Sequence, residues 1–250
     1  MFVIFDKKLI MKKIVLLLLF VPMLSNAQLK DLVKKATKKV TAVTQGNSTL
    51  DIAAGLKEAL NKGVTEQVSK LTAEDGFYKN EAVKILIPEE LQKVEKTLRK
   101  MGLSSLADEG IKSLNRAAED AVKTSTPIFV DAIKGMSFTD AKNILFGNQN
   151  AATVYLQSST TKPLYAKFSP VVQESISKVG ADVIWANIIK KYNSLPLVSK
   201  VNPDITDYVT NKALDGVFKM ITVEEKNIRT NLNSRTSDVL KKVFALQDKK

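Results

Sequence analysis

The apolar residues of this chain recur at spacings of three and four over most of its length. This is the period of an amphipathic helix rather than of a strand. Leu56, Leu60 and Val64 belong to one such series, and similar series continue as far as Phe244. Glycine and proline are scarce, at 10 and 7 of 250 residues, whereas turn-rich β folds usually need more of both. The pattern therefore predicts an all-α domain.

Helix start and stop signals are densest in the segment Ser113–Leu164. Residues 137–140 (SFTD) resemble a capping box, and Gly147 follows as a stop signal. A short helix is predicted over 150–157. Pro163 is predicted to begin the next helix and Pro170 to break it, because proline cannot donate the helical hydrogen bond. We expect about eight to ten helices, some of them short.

Four glycines give further signals about the helices. Gly55 and Gly63 lie inside a predicted helix, where glycine is costly, and they indicate closely packed neighbours. Gly102 is predicted to end a helix. The helix that begins at Pro170 is predicted to run through Gly180 as far as Tyr192.

The amino-terminal residues have the pattern of an export signal. Two lysines follow Met11, an apolar run covers 14–21, and small residues precede a cleavage position after Ala27. The apolar run is too short to favour a membrane anchor. Residues 1–10 are interpreted as an upstream extension, with translation from Met11 as the alternative start. We therefore expect a Sec-type signal peptide and a periplasmic or secreted protein. With no cysteine after the apolar run, a lipoprotein anchor is not expected.

The predicted organisation has four parts: a signal peptide over 1–27, a basic amphipathic helix with its linker over 28–49, a single helical domain over 50–246, and a frayed tail over 247–250. The basic helix carries a stripe of lysines opposite its apolar stripe: Lys30, Lys34, Lys35, Lys38 and Lys39. These lysines are candidates for contact with anionic lipid or a partner. The alternative is a helix that docks on its own domain, with its lysines in solvent.

Two residue types are missing from the chain, and their absence limits the chemistry that it can perform. There is no Cys and no His. Thiol nucleophiles, disulfides and the common zinc sites are therefore excluded, as is the usual histidine base. The sequence also lacks the phosphate-loop and dinucleotide motifs, so we expect neither a metal nor a cofactor.

Carboxylate chemistry and serine–lysine chemistry remain open. Ser175 and Lys178 match the S-x-x-K nucleophile motif, but its companion K-T-G triplet is absent. Glu119, Asp140 and Glu225 are candidates for a carboxylate pair if the fold brings them to one cleft. Helix caps and ion pairs are the more common role for such residues.

Several polar residues fall within otherwise apolar helices and are candidates for a binding site or a buried polar network. Arg116 is spaced to pair with Asp120 on an exposed face, or to join a buried network if another helix covers it. The expected network connects the region 115–119 with Arg229 or Arg235. The full set of candidates is Asn115, Arg116, Glu119, Asp140, Tyr155, Glu225, Arg229 and Arg235.

The formal net charge of +12 comes almost entirely from lysine, with only four arginines after the apolar run. Specific recognition of phosphate or bases usually relies on arginine, and an export signal argues against a nucleic-acid partner. The excess lysine is consistent with solubility and with weak attraction to anionic membranes.

Eight ordered segments resemble a bacterial family known as the domain of unknown function 4197 family. The resemblance covers 50–246 and implies an exported, mostly helical, single-domain protein. It implies no established activity and no catalytic residue. Many members carry a lipoprotein cysteine that this chain lacks. The segments are GLKEALNKG (Gly55–Gly63), EDGFY (Glu74–Tyr78), LNRAAE (Leu114–Glu119), PIFVDAI (Pro127–Ile133), MSFTDAKNIL (Met136–Leu145), AATVYL (Ala151–Leu156), KALDGVFKMI (Lys212–Ile221) and EEKNIR (Glu224–Arg229).

Two function classes follow from these observations. The first, which we favour, is a non-catalytic binding or interaction module of the bacterial envelope that holds an apolar ligand between helices or docks an envelope protein. The second is a hydrolase that acts on an envelope polymer through carboxylates or through Ser175 and Lys178.

Overall fold

The computed structural model describes residues 52–89, 92–194, 196–197, 200, 202 and 204–248. These residues all belong to one compact unit, Thr49–Lys250. The described residues form nine α-helices and a 3-10 turn, with no strand. The helices are α1 (52–72), α2 (Gln92–Lys100), α3 (Ser104–Val122), α4 (Thr126–Gly135), α5 (Phe138–Phe146), α6 (Ala151–Ser177), α7 (Ala181–Asn193), α8 (Ile205–Thr230) and α9 (Asp238–Phe244), with the 3-10 turn Leu232–Ser234 between α8 and α9.

The predicted all-α domain is confirmed. The predicted signal peptide and the five lysines of the basic helix lie outside the described residues. Among the described helices, none combines the length and the apolar character that crossing a membrane would require.

Helices α3, α6 and α8 pack against one another and form the centre of the domain. Their facing sides are lined by small and aliphatic residues, so the helices approach closely. Phe129 of α4 and Phe218 of α8 meet edge to face with their ring centroids 6.1 Å apart. Phe77, from the turn after α1, is fully buried in the same core. This main core holds most of the large buried side chains.

A second, smaller core lies where α1, α5, the start of α6 and α9 meet. Leu56, Leu145 and Phe244 are among its large members, and each is nearly or fully buried. Gly55 makes this contact possible, because a Cβ at that position would lie only 2.5 Å from a methyl group of Val243. The sequence predicts a closely packed neighbour at Gly55, and in the structure that neighbour is α9.

Helix α6 runs unbroken through both of its prolines, and the predicted break at Pro170 and restart at Pro163 are wrong. Both prolines face solvent. The carbonyls that they leave without a helical donor can therefore be hydrated. On the opposite face, α6 buries an almost continuous apolar stripe: Leu156, Leu164, Phe168, Val172 and Ile176. Burial of that stripe outweighs the loss of two backbone hydrogen bonds.

Two glycines with positive φ end helices. Gly102 has φ of 78° in the turn between α2 and α3, and Gly180 has φ of 66° between α6 and α7. This left-handed backbone suits glycine and strains other residues. The sequence predicts the stop at Gly102 but runs one helix through Gly180, where the structure has two.

Candidate functional site

Six of the eight predicted polar residues lie in two separate groups, one on α3 and one on α8 and the segment that follows it. We call Asn115, Arg116 and Glu119 the α3 network, and Glu225, Arg229 and Arg235 the α8 network. Within the part of the chain that the structure describes, the two networks have no hydrogen bond in common. The expected connection between them is therefore not observed: Glu119 binds the turn after α1, whereas Glu225 and Arg229 bind the ends of α6 and α5.

In the α3 network, fully buried Asn115 fastens the extended segment before α2 to α3. Its side-chain oxygen accepts from the amide of Ile85 at 2.8 Å, and its side-chain nitrogen donates to the carbonyl of Ile85 at 2.8 Å. The same nitrogen donates to the carbonyl of Ile111 at 2.7 Å. The Asn115 side chain thus satisfies both the amide and the carbonyl of Ile85, as a neighbouring β-strand would.

Glu119 of α3 binds the turn that follows α1. One carboxylate oxygen accepts from the amides of Phe77 and Tyr78 at 3.0 and 3.4 Å. The other accepts from Arg116 at 2.5 Å, and Arg116 also donates to Asp75 at 2.6 Å. The predicted Arg116–Asp120 pair is wrong: Asp120 pairs with Lys123 instead. Glu119 is 3% exposed, and its contacts hold the fold together.

In the α8 network, Glu225 caps a helix from another part of the chain. Its two carboxylate oxygens accept from the amides of Ala152 and Thr153, each at 2.9 Å, and one also accepts from the Thr153 hydroxyl at 2.9 Å. These amides belong to the first turn of α6, where backbone donors lack helical partners and the helix dipole favours negative charge. Asn150, the residue before α6, forms no side-chain cap. Glu225 therefore supplies the missing cap from α8.

Two buried arginines satisfy carbonyl groups at the ends of other helices. Arg229 donates to the carbonyls of Ile144 and Leu145, at the end of α5, and to Glu225 at 2.8 Å. Arg235 donates to the carbonyls of Ile228 and Arg229, at the end of α8. Both guanidinium groups lie over the ring of Phe244, at 5.7 and 5.6 Å from its centroid.

The carboxy-terminal segment completes the α8 network. Gln247 accepts from Arg229 at 2.9 Å, and Asp248 binds Arg235 through both carboxylate oxygens. These two residues, which the sequence assigns to a frayed tail, are therefore held against the domain. Arg235 lowers the pKa of Asp248 by a direct hydrogen bond and by its charge.

Asp140 and Tyr155 belong to neither network. Asp140 forms the predicted capping box with Ser137 at the start of α5, and that hydrogen bond lowers the pKa of Asp140. The half-buried hydroxyl of Tyr155 donates to the carbonyl of Ala132 at 3.3 Å. Burial raises the pKa of Tyr155, and the charge of Asp140 adds to this effect. The carboxylates Glu119, Asp140 and Glu225 thus each serve a different local structure.

Ser175 and Lys178 line an open groove between α3 and α6. Lys178 is exposed and pairs with Glu174 at 2.8 Å. That hydrogen bond, with the charge of Glu174, raises the pKa of Lys178 above its ordinary value. A lysine base must be neutral, and this pairing favours the charged form.

The remaining candidate is a cleft of about 240 Å³ beside α1 and α8, which the sequence did not predict. We call it the α1–α8 cleft. Glu66 and Lys62 of α1 line one side, Glu224 of α8 lines another, and Ser234 and Thr236 belong to the segment after α8. The Lys62 ammonium donates to the Thr236 hydroxyl at 2.7 Å. Both carboxylates therefore line a concave surface that is large enough for a small polar group.

Glu224 has an unusual environment in this cleft. It is half-buried, and the buried amide of Gln67 donates to it at 2.9 Å. Burial raises the pKa of Glu224, and the neighbouring charge of Glu66 raises it further, against smaller opposing effects of Lys70 and Gln67. Cleft carboxylates with raised pKa are typical of functional sites.

Gly63, a glycine inside α1, is the one feature of the sequence that could have indicated the cleft. A Cβ at this position would lie 3.7 Å from Glu224 and 3.8 Å from Ile228, which are ordinary contact distances. The close packing predicted at this glycine is therefore looser than at Gly55. Gly63 lines the α1–α8 cleft together with Glu66 and Glu224.

An apolar cavity lies next to the cleft, between α1, α5 and α8. Its volume is about 30 Å³, which is enough for water but far below that of a small-molecule site. Within the described residues, no group of three or more acidic side chains could hold a metal ion.

Comparison with known proteins identifies the family but no individual relative. The model of the DUF4197 family, proteins of unknown function, matches residues 46–245. The chain belongs to this family. A search of curated proteins and a search of solved structures found no match. The function of the family is unknown, so the match adds no activity to this DUF4197 protein.

Proposed function

We propose that this DUF4197 protein is a non-catalytic binding module of the bacterial envelope, exported by its amino-terminal signal, and that the α1–α8 cleft is its binding site. The ligand or partner group is positively charged, such as an amine or a lysine side chain of an envelope protein. The apolar-ligand version has less support, because the apolar cavity beside the cleft has a volume of only about 30 Å³.

The observation that carries the proposal is the pair of acidic side chains in the cleft. The charge of Glu66, which also pairs with Lys70 at 2.8 Å, raises the pKa of the half-buried Glu224. A bound cation would relieve their repulsion and replace the water that Glu224 loses on burial. The Lys62 ammonium, which also lines the cleft, donates to the Thr236 hydroxyl and forms no ion pair with either carboxylate among the described residues.

Ligand binding can be tested with the mature chain, Gln28 to Lys250, purified from a native periplasm. Native mass spectrometry of this protein is expected to show an added mass that is absent from Glu224→Gln. As a defined probe, spermidine is expected to raise the Tm of the wild-type protein at pH 7 and to leave that of Glu224→Gln unchanged. Asp238→Asn, a change of an exposed acidic residue, is the matched control and should behave as wild type. Equal responses of wild type and Glu224→Gln would refute the cleft as the site.

One observation favours the hydrolase alternative, and it concerns the same cleft. A carboxyl with raised pKa beside a second carboxylate is the arrangement that glycoside hydrolases use. Release of reducing ends from peptidoglycan by the wild-type protein, lost in both Glu66→Gln and Glu224→Gln, would establish the catalytic function. Binding without such release would establish the non-catalytic one.

A further inference from the structure

The turn between α2 and α3, with the first turn of α3, exposes three large apolar side chains within six residues. Met101 is 68% exposed, Leu103 is 41% exposed and Leu106 is 55% exposed. We call these three residues the hairpin tip. Isolated exposed apolar residues are common, but adjacent ones at the end of a hairpin indicate an interaction surface.

The backbone holds the hairpin tip away from the core. Gly102 makes the tight turn with φ of 78°, and a Cβ there would meet nothing within 4 Å. The first turns of α3 are mostly exposed, whereas its last turns are buried in the main core. Helix α2 packs against α3. The tip is therefore the outer end of a helical hairpin that is rooted in the domain.

The charges beside the tip are complementary to an anionic surface. Arg99 binds both nearby carboxylates, Glu95 at 2.9 Å and Asp108 at 2.6 Å. Lys96 and Lys100 lie four residues apart on an exposed face of α2, and neither forms an ion pair within the described residues. Glu95 and Asp108 are thus paired with Arg99, while the two lysines next to the apolar side chains stay available.

We propose that the hairpin tip inserts into the interfacial layer of an anionic lipid membrane. Met101, Leu103 and Leu106 enter the boundary between headgroups and acyl chains, and Lys96 and Lys100 contact lipid phosphates. This contact is shallow and needs no spanning helix. It lies on a different part of the domain from the α1–α8 cleft, so it does not depend on the proposed cleft ligand.

The chain has no cysteine, so a single fluorophore can report on the tip. An environment-sensitive dye is attached to Ser105→Cys, beside the tip, and separately to Ser158→Cys on α6; both positions are exposed. The mature chain is mixed with phosphatidylcholine vesicles that contain phosphatidylglycerol. We expect the dye emission at position 105 to shift to the blue, with a smaller shift at high salt. The dye emission at position 158 should not shift. Vesicle binding with no change at position 105 would overturn the proposal, as would the absence of binding.

Substitutions separate tip insertion from attraction by the basic amino-terminal segment. Met101→Ser combined with Leu106→Ser is expected to weaken vesicle binding by about ten-fold or more, because both side chains leave water on insertion. Lys96→Gln and Lys100→Gln should each weaken it by about five-fold. Val154→Ser, at a 53% exposed position of α6, is the matched control and should bind as wild type.

Two further outcomes would overturn the proposal. One is unchanged vesicle binding by the folded tip variant, checked by its thermal melt. The other is a blue shift at position 105 that appears without vesicles and grows with protein concentration, since it would indicate a protein partner for the tip. Glu224→Gln should bind vesicles normally, so failure of the cleft proposal and failure of this one are distinguishable.

Discussion

Buried charged side chains in this protein cap helices from a distance. Glu225 is bound to the first turn of α6, and Arg229 to the last carbonyls of α5. Helix caps usually come from a residue next to the helix, but these partners are 72 to 85 residues away in sequence. Each buried charge thereby satisfies backbone groups that would otherwise be unpaired.

Replacement of Glu225 by alanine should therefore be severely destabilising. The change leaves two amides of α6 without an acceptor and removes the carboxylate that neutralises the guanidinium of Arg229, which is 2% exposed. We expect a loss of about 3 to 5 kcal/mol in the free energy of unfolding, measured by chemical denaturation. Glu225→Gln keeps one carbonyl acceptor and should lose less.

Lys226→Ala, at the adjacent exposed position of α8, is the control and should change stability by no more than about 0.5 kcal/mol. A Glu225→Ala protein as stable as this control would show that α6 does not need the cap.

The Arg235–Asp248 pair should make stability depend on pH in the acid range. The pKa of Asp248 is lowered in the folded protein from its ordinary value of 3.8. The stabilisation is therefore complete above that ordinary value and is lost as the pH falls through the lower folded pKa. At neutral pH, Asp248→Asn should cost about 1 to 2 kcal/mol, a modest amount because the carboxylate is 40% exposed.

This pH dependence can be checked by thermal melts of both proteins between roughly pH 2 and pH 7, a range over which a carboxyl passes from protonated to ionised. The Tm difference between wild type and Asp248→Asn should be constant near neutrality and should shrink in acid. A difference that is the same at every pH would mean that the ion pair does not contribute.

At the scale of elements, packing decides where helices begin and end as much as local signals do. Helix α6 continues past two prolines because its buried stripe faces the core. Helices α6 and α7 are separate because Gly180 adopts a positive φ. Glycines inside α3 and α8 have opposite effects on stability, and replacing each by alanine shows the difference.

Gly110→Ala and Gly216→Ala should change stability in opposite directions. Gly110 is exposed on α3 and has nothing within 4 Å of an added Cβ, so alanine should stabilise by about 0.5 to 1 kcal/mol. Gly216 is buried on α8, where the added methyl group would lie 2.7 Å from the ring of Phe77. Alanine at this position should destabilise by about 1 to 3 kcal/mol. Denaturation curves of the two variants provide the measurement, and stabilisation by Gly216→Ala would contradict the observed packing.

At the scale of the whole molecule, the α1–α8 cleft should lower the free energy of unfolding at neutral pH, because it holds a charged Glu224 in a half-buried position. The pKa of Glu224 is raised from its ordinary value of 4.5. The folded protein therefore loses stability as the pH rises from the ordinary pKa through the raised one. Glu224→Gln should be more stable than wild type at pH 7, by up to about 1 kcal/mol, and the gain should vanish well below pH 4.5.

Thermal melts at pH 7 and at low pH measure this gain, and Glu58→Gln on the exposed side of α1 is the control. A destabilised Glu224→Gln protein at pH 7 would show that the carboxylate supports the fold rather than a ligand.

The sequence by itself determined the features whose causes are local. The apolar period of three and four predicts helices, Ser137 and Asp140 form the expected capping box, and Gly102 ends α2. Each of these depends on contacts within one or two helical turns, so the residues that cause them are close together in the chain.

Only the tertiary structure decided what the buried charges do and where the cleft lies. Glu119 binds amides 41 and 42 residues away, and Glu225 binds amides 72 and 73 residues away. Glu66 and Glu224 line one cleft, although their helices are far apart in the sequence. Periodicity shows which side of a helix is buried but not which neighbour covers it. Because the role of a buried charge depends on that neighbour, it follows from packing and not from sequence spacing.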